Sequence, residues 1–94
     1  MKHLHSWDAT DQRLVRLLAA DALLALLSVM RQRRTDAARE ASRYADQGMT
    51  QEQISQVLGI DQSSVSRRLR TALWYEESEA RTVLVALLGR AHER

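Results

Sequence analysis

Polar side chains that form strong hydrogen bonds are concentrated in one short segment that begins at Gln62. The amide of Gln62 offers a donor and an acceptor together, as the edge of an adenine requires, and the guanidinium of Arg67 can donate two hydrogen bonds to a guanine. Ser63, Ser64 and Ser66 add hydroxyl groups. This chemistry suits the recognition of bases better than the breaking of covalent bonds.

Two short helices joined by a tight turn are predicted to hold this segment. Thr50, followed three residues later by Gln53, has the pattern of a capping box, and Asp61 is placed to cap the second helix. Between the helices, Gly59 stands where a positive φ is preferred, and Ile60 directly after it can fill the corner.

Apolar residues at helical spacing predict how these two helices pack. In each helix they fall on one narrow face, and Ser55 is small where the helices cross most closely. This is the arrangement of a helix-turn-helix, in which the second helix lies in the major groove of DNA and the first crosses the backbone. The predicted inward residues are Ile54, Val57 and Leu58 in the first helix and Val65, Leu69 and Ala72 in the second.

The stretch MTQEQISQVLGIDQSSVSRRLR resembles the helix-turn-helix of bacterial and phage transcription regulators, in particular the DNA-binding part of sugar-responsive regulators and of phage repressors. The resemblance covers residues 39–72. Two positions depart from it, because Ser55 replaces a commoner alanine and Arg68 stands where a leucine is often buried. If Arg68 faces solvent, Leu69 takes that packing role.

The resemblance implies a role for the exposed residues of the motif. Residues in the first turns of the second helix contact bases, whereas the start of the first helix binds phosphate, which fixes the register without reading sequence. Gln51 is similar to a glutamine of phage repressors that bridges the recognition helix and a phosphate, so it forms a candidate pair with Gln62. The implied base-reading residues are Gln62, Ser63, Ser64, Ser66 and Arg67, and the implied phosphate-positioning residues are Thr50, Gln51 and Arg70.

A solvated charged helix face is the alternative interpretation of the arginines. The run from Ser66 to Arg70 is by default exposed to water, and serines after an aspartate are often capping groups. The turn, the apolar register and the lack of an acidic residue between Gln62 and Tyr75 together favour contact with double-stranded DNA. A further basic group either extends the phosphate contact or keeps the surface soluble, and it comprises Arg31, Arg33, Arg34, Arg39 and Arg43.

The composition predicts one soluble all-α domain over residues 1–94. The chain has no proline and only three glycines, and it is rich in residues that cost little in a helix. It also lacks cysteine, which excludes disulfides and thiolate metal sites and favours a cytoplasmic location, in association with the nucleoid. The net charge is +2, and arginine supplies nearly all of the positive charges, since Lys2 is the sole lysine.

Helix caps divide the chain into about five helices with the helix-turn-helix in the centre. Thr10 is predicted to cap the first helix and Thr35 the second. The last helix is predicted from Ser78, although the preceding helix can run into it with a bend near Glu76. The predicted segments are 10–34 and 78–91 for core or dimerisation helices, 35–48 for a supporting helix and 50–76 for the helix-turn-helix.

The leucine-rich run from Leu14 to Met30 is predicted to be a buried helix and not a membrane span. Arg16 and Asp21 interrupt it, and the apolar stretch after Asp21 is shorter than the ~20 residues that a span requires. No membrane partner is therefore expected.

The two flanking helices are more apolar than a small monomer can bury. The later half of the first is apolar nearly all round, although Arg13 and Arg16 keep the side of Leu23 and Leu27 polar. An obligate homodimer with a shared core is expected, and packing within one chain is the alternative. The predicted interface residues are Leu14, Leu18, Leu23, Leu26, Leu27, Trp74, Val83, Leu84, Leu87 and Leu88.

Twofold pairing presents two recognition helices to half-sites about one turn apart, so a palindromic operator is expected. The layout of helices around the motif resembles that of the tryptophan repressor. No set of flanking residues matches its amino-acid pocket, so neither a small-molecule effector nor a cofactor is predicted.

The remaining polar residues do not predict catalysis or a metal site. His3 and His5, near Trp7, have no carboxylate or cysteine beside them, and His92 has no partner in sequence. There is no cysteine nucleophile, no phosphate-cradling glycine loop and no framed carboxylate pair. The chain is not expected to be an enzyme.

The sequence thus predicts a sequence-specific DNA-binding transcription regulator, in its simplest form a repressor. Two alternatives stay open. One is a DNA-docking subunit of a phage packaging or recombination complex, and the other is a helix-turn-helix interaction module that contacts RNA polymerase without reading DNA.

Overall fold

The computed structural model describes residues 9–91, so the predictions for His3, His5, Trp7 and His92 lie outside the described residues. This part of the chain contains five helices and no strand, which confirms the all-α prediction. The helices are α1 (Ala9–Gln32), α2 (Asp36–Asp46), α3 (Gln51–Leu58), α4 (Gln62–Thr71) and α5 (Trp74–Ala91).

Side-chain caps start two of the helices as predicted. The Thr35 hydroxyl accepts a hydrogen bond from the backbone N–H of Ala38 at 3.1 Å, at the start of α2. At the start of α3, Thr50 and Gln53 form a complete capping box, in which each side chain accepts from the other residue's backbone N–H. The cap predicted at Thr10 is wrong, because Thr10 lies within α1.

A left-handed glycine makes the turn between α3 and α4. Gly59 has a φ of 68° and its N–H donates to the carbonyl of Ser55. A side chain at this φ would be strained, which explains the glycine. Ile60 packs against the core, as predicted for the corner. Asp61 occupies the N-cap position of α4, although its side chain makes no capping hydrogen bond.

A small apolar core joins α2, α3 and α4. Its buried members are Ala41, Ile54, Val65 and Leu69, and Leu58 packs against them from the edge. Ala72, predicted to face inward, is also buried. The inward assignment of Val57 is wrong, since this side chain is 55% exposed on the outer side of α3. A helix of eight residues buries only a narrow stripe, and Ile54 fills it.

The break between α4 and α5 lies earlier than predicted. It falls at Leu73, which has a φ of 57°, and α5 begins at Trp74 and not at Ser78. Trp74 therefore starts the last helix and does not end the recognition helix. Its indole N–H donates to Asp46 at 2.9 Å, and its ring packs on the apolar core of the same chain.

The long helices α1 and α5 pack against each other as an antiparallel hairpin, with the end of α1 at the start of α5. The side of α1 expected to be polar faces α5, because Leu23 and Leu27 are half-buried there. The other side of α1 is exposed from Leu14 to Val29. We call it the α1 outer face, and it comprises Leu14, Leu18, Ala22, Ala25, Leu26 and Val29.

The molecule is elongated, with principal extents of 57 × 24 × 18 Å. Its radius of gyration is 17.9 Å, whereas a compact chain of this length has a radius of about 12 Å. The hairpin therefore projects away from the core formed by α2, α3 and α4. None of the described helices has the length and apolarity needed to cross a lipid bilayer.

Candidate DNA-binding surface

Helix α4 turns its polar side away from the protein. Val65 and Leu69 anchor it in the core, and the intervening positions consequently point outward. Gln62, Ser63, Arg67 and Arg70 are exposed, whereas Ser64 and Ser66 are half-buried. The structure thus brings all the predicted base-reading residues onto one helix, with Arg70 at its far end.

Both exposed arginines of α4 lie along the helix. Arg67 donates to the hydroxyl of Ser64 at 3.2 Å, and Arg70 donates to the hydroxyl of Ser66 at 2.7 Å. Each guanidinium has five N–H donors, so most of its donors remain directed to solvent. The serines hold the arginines in place without consuming their capacity to bind a base or a phosphate.

Arg68 lies apart from this row. It is half-buried and lines a groove beside α2, next to Arg39 and Arg43. Leu69 fills the core position, as the sequence indicated for an outward Arg68. Helix α4 thus carries three arginines in its second half and no carboxylate between Gln62 and Thr71.

The start of α3 stands beside this helix with free backbone donors. The first N–H groups of a helix have no partner within the helix and favour an anion. The Thr50 hydroxyl accepts from Gln53 and still has its own O–H to donate. This geometry suits the phosphate-positioning role predicted for Thr50.

Gln51 has a partner that the sequence did not suggest. Its amide nitrogen donates to the hydroxyl of Tyr75 at 2.9 Å, which connects the start of α3 to the start of α5. Among residues 9–91, no hydrogen bond joins the Gln62 side chain to Gln51 or to another residue, so the pairing of Gln51 with Gln62 stays a prediction for the DNA-bound protein.

A buried carboxylate that the sequence analysis missed fixes this surface to the hairpin. Glu77 is only 4% exposed, accepts hydrogen bonds from Arg31 and Arg34, and forms an ion pair with Arg81. Arg34 also donates to the carbonyl of Ala72 at 2.9 Å, at the end of α4. We call this cluster the Glu77 junction. The spacing of Glu77 and Arg81 was the sole local sign of it, since i and i+4 share a helix face.

Residues 29–74 match the family model described as sigma-70, region 4, a helix-turn-helix DNA-binding region. The match covers slightly less than half of the chain, from the end of α1 to the start of α5. The matched family is different from the sugar-responsive regulators, phage repressors and tryptophan repressor to which the sequence showed a resemblance.

No curated protein and no solved structure matches the chain. The sigma-70 match and the geometry of α3, Gly59 and α4 nevertheless agree on the same segment. The chain thus contains a helix-turn-helix, and over residues 29–74 it is similar to region 4 of sigma-70.

Proposed function

We propose that this protein is a sequence-specific, DNA-binding transcription regulator that acts as a homodimer. The observation that carries the proposal is the polar outer side of α4, whose amide, hydroxyl and guanidinium groups stand opposite the core residues Val65 and Leu69. In a helix-turn-helix, this side enters the major groove.

Within the groove, Gln62 and Arg67 are assigned to bases and Arg70 to phosphate. Gln62 lies in the first turn of α4, which is the part that contacts base edges in this motif. Arg70 lies two turns further along, where a guanidinium can bind the sugar–phosphate backbone. The start of α3, with Thr50, holds a second phosphate and fixes the register.

The α1 outer face supports the homodimer. Leu18 is 60% exposed and Leu26 is 67% exposed, and both lie on one side of a helix whose other side is already covered by α5. Leu14 and Val29 extend the same face at its two ends. The same face on a second copy of the chain is equally apolar. A twofold axis would pair these two faces with each other, so no other part of the surface is needed.

Repression by occupancy is the simplest action of such a dimer. A protein bound at promoter DNA excludes other proteins from the same site, and it needs no chemistry of its own for this effect. We accordingly propose no catalytic role for the protein. We propose that it binds a palindromic operator.

A comparison of Arg67 and Arg70 tests the assignment of α4 to base reading. Arg67→Ala should lower affinity for the selected site by about 1–3 kcal/mol and relax sequence choice at one position. Arg70→Ala should weaken binding to all sequences alike and reduce the salt dependence by about one counterion. Selection from random duplexes, followed by titrations at several salt concentrations, measures both effects.

Arg13→Ala is the matched control, because Arg13 is exposed on α1, away from α3 and α4. It should leave both affinity and sequence choice unchanged. Equal losses on selected and random DNA for Arg67→Ala would contradict base reading by this residue.

A second candidate is a helix-turn-helix module that contacts RNA polymerase without reading DNA. The match to a region of sigma-70 is the observation that favours it. This candidate predicts no shift of any duplex and a complex with polymerase that is insensitive to salt, because the counterion release of DNA binding is missing.

A further inference from the structure

A cleft rich in arginine lies outside the helix-turn-helix, between α2 and the end of α1. It has a volume of about 290 Å³, which is near the lower limit for small-ligand sites. We call it the Ser42 cleft. Its described lining residues are Arg31, Arg34, Arg39, Ser42, Arg43 and Asp46.

The hydroxyl of Ser42 is a buried polar group without a partner. Ser42 is 1% exposed, and its Oγ makes no hydrogen bond although it lies in the wall of this cleft. A buried hydroxyl normally has a partner, and an unsatisfied one costs free energy. Once the flexible side chains around it move aside, the hydroxyl can donate one hydrogen bond to an anion in the cleft.

Two of the surrounding arginines are able to reach such an anion. Arg43 is exposed and forms no ion pair in the described part of the chain. Arg39 is half-exposed, and its guanidinium donates to Asp36 at 3.3 Å and to the backbone carbonyls of Arg31 and Arg34. Both side chains are long and solvated, so they can move aside to admit a ligand and then close over it.

The local charges favour an anion. Among the lining residues, four arginines face one carboxylate, that of Asp46, which accepts from the Trp74 indole. Glu77 neutralises part of the charge of Arg31 and Arg34. A tetrahedral anion with several acceptor oxygens can bind Arg43, Arg39 and the Ser42 hydroxyl at once.

We infer that the Ser42 cleft binds a phosphate group. A guanidinium fork together with a hydroxyl donor is suited to phosphate oxygens. The phosphate can belong to a small phosphorylated molecule or to the backbone of a DNA duplex. Neither Thr50 nor Arg70, the residues assigned to phosphate above, lines this cleft.

The test uses inorganic phosphate and pyrophosphate as probes, at constant ionic strength with chloride as the reference anion. Binding is followed by amide chemical shifts in ¹⁵N-labelled full-length protein and by the rise in Tm. Wild type should show saturable shifts around Ser42. Arg43→Gln should weaken binding roughly tenfold, as expected for the loss of one charged hydrogen bond.

Ser42→Ala separates binding from folding. Removal of an unsatisfied buried hydroxyl should raise the Tm of the free protein, yet the variant should lose most of the additional rise that phosphate gives. If Ser42 had only a structural role, Ser42→Ala would change the Tm of the free protein and leave the additional rise in Tm with phosphate unchanged. Arg33→Gln is the control for charge, because Arg33 is exposed nearby but does not line the cleft.

Two arms distinguish the sources of the phosphate. Saturation by the free probes identifies a small phosphorylated ligand. If the free probes do not bind, Arg43→Gln and Ser42→Ala should both lower affinity for duplex DNA, with Arg33→Gln unaffected, and this result identifies the DNA backbone. Equal effects of Arg43→Gln and Arg33→Gln in both arms would overturn the inference, as would no effect of either.

Discussion

At the scale of single residues, Glu77 is the most consequential side chain outside the recognition helix. One buried carboxylate pairs with three arginines, which come from the end of α1, from the residue before Thr35 and from α5 itself. Arg34 is 6% exposed, so its charge depends on this partner. Glu77 is therefore a main contact that holds the helix-turn-helix against the hairpin, beside the bond from Trp74 to Asp46 and that from Gln51 to Tyr75.

Glu77→Gln should destabilise the protein by about 3 kcal/mol, because it leaves Arg34 buried without a counter-charge. Unfolding in urea, followed by circular dichroism, measures this loss. The exposed neighbour Glu76 provides the control, since Glu76→Gln should change the free energy of unfolding by less than about 0.5 kcal/mol. Similar losses for both variants would show that the junction does not hold the fold.

Residues whose partners are close in sequence were predictable, and those with distant partners were not. Thr50 and Gln53, three positions apart, form the predicted capping box, and Gly59 has the predicted positive φ. The bond from Gln51 to Tyr75 spans 24 positions, and that from Arg31 to Glu77 spans 46. No periodicity encodes such pairs, because they arise only when separate helices are docked.

At the scale of elements, the two helices of the motif are started by different means. Helix α3 has a reciprocal capping box, whereas Asp61 at the start of α4 offers only its charge to the helix dipole. The predicted end of α4 was wrong. It was misplaced because Leu73, and not a glycine, adopts the left-handed conformation at this break.

Substitutions at the two N-cap positions should therefore have unequal effects. Thr50→Ala should lower the free energy of unfolding by about 1 kcal/mol, since it removes the side-chain acceptor for the backbone N–H of Gln53. Asp61→Ala should lower it by about 0.5 kcal/mol, since only an interaction with the helix dipole is lost. Thermal unfolding without DNA measures both, and an equal or larger loss for Asp61→Ala would contradict the difference in capping.

At the scale of the whole molecule, the elongated shape and the exposed apolar surface of α1 both lead us to expect a homodimer. The molecule is elongated, with a radius of gyration of 17.9 Å, and the other described residues leave the α1 outer face uncovered. The sequence indicated that the flanking helices carry surplus apolar surface, but the side of Leu23 and Leu27 was expected to be polar, whereas it packs against α5. Arg16, near them, is half-buried against the hairpin, since a long arginine can cover apolar groups with its stem.

Antiparallel pairing of two α1 outer faces would set the distance between the two ends of α1, from which each chain continues toward its recognition helix. The face from Leu14 to Val29 has its midpoint beside Ala22, and Gln32 lies about 16 Å further along at 1.5 Å per residue. The two ends of α1 would thus be about 32 Å apart. This is close to the 34–36 Å between half-sites on one side of DNA, whereas parallel pairing would bring both ends together.

Leu18→Glu should weaken the dimer roughly a hundredfold or more, because each interface loses two apolar contacts and gains two buried carboxylates. Sedimentation equilibrium measures the association. Val85→Glu is the matched control, since Val85 is equally exposed on α5 but lies off the α1 outer face.

Selection from random DNA supplies a second measure of the same pairing. Wild type should return two inverted half-sites about one turn apart, and Leu18→Glu should return single half-sites. A monomeric wild type, or a dimer that Leu18→Glu and Val85→Glu weaken equally, would contradict pairing through α1.

The hydrogen bond between Gln51 and Tyr75 connects the DNA-facing end of α3 with the first turn of the hairpin helix α5. A duplex that takes this same N–H of Gln51 would release the Tyr75 hydroxyl. Thermodynamic linkage would make such an exchange reciprocal, so a contact that holds Tyr75 would change the affinity for DNA by the same factor. In the proposed regulator, the hairpin would then be a second place at which the affinity for DNA is adjusted.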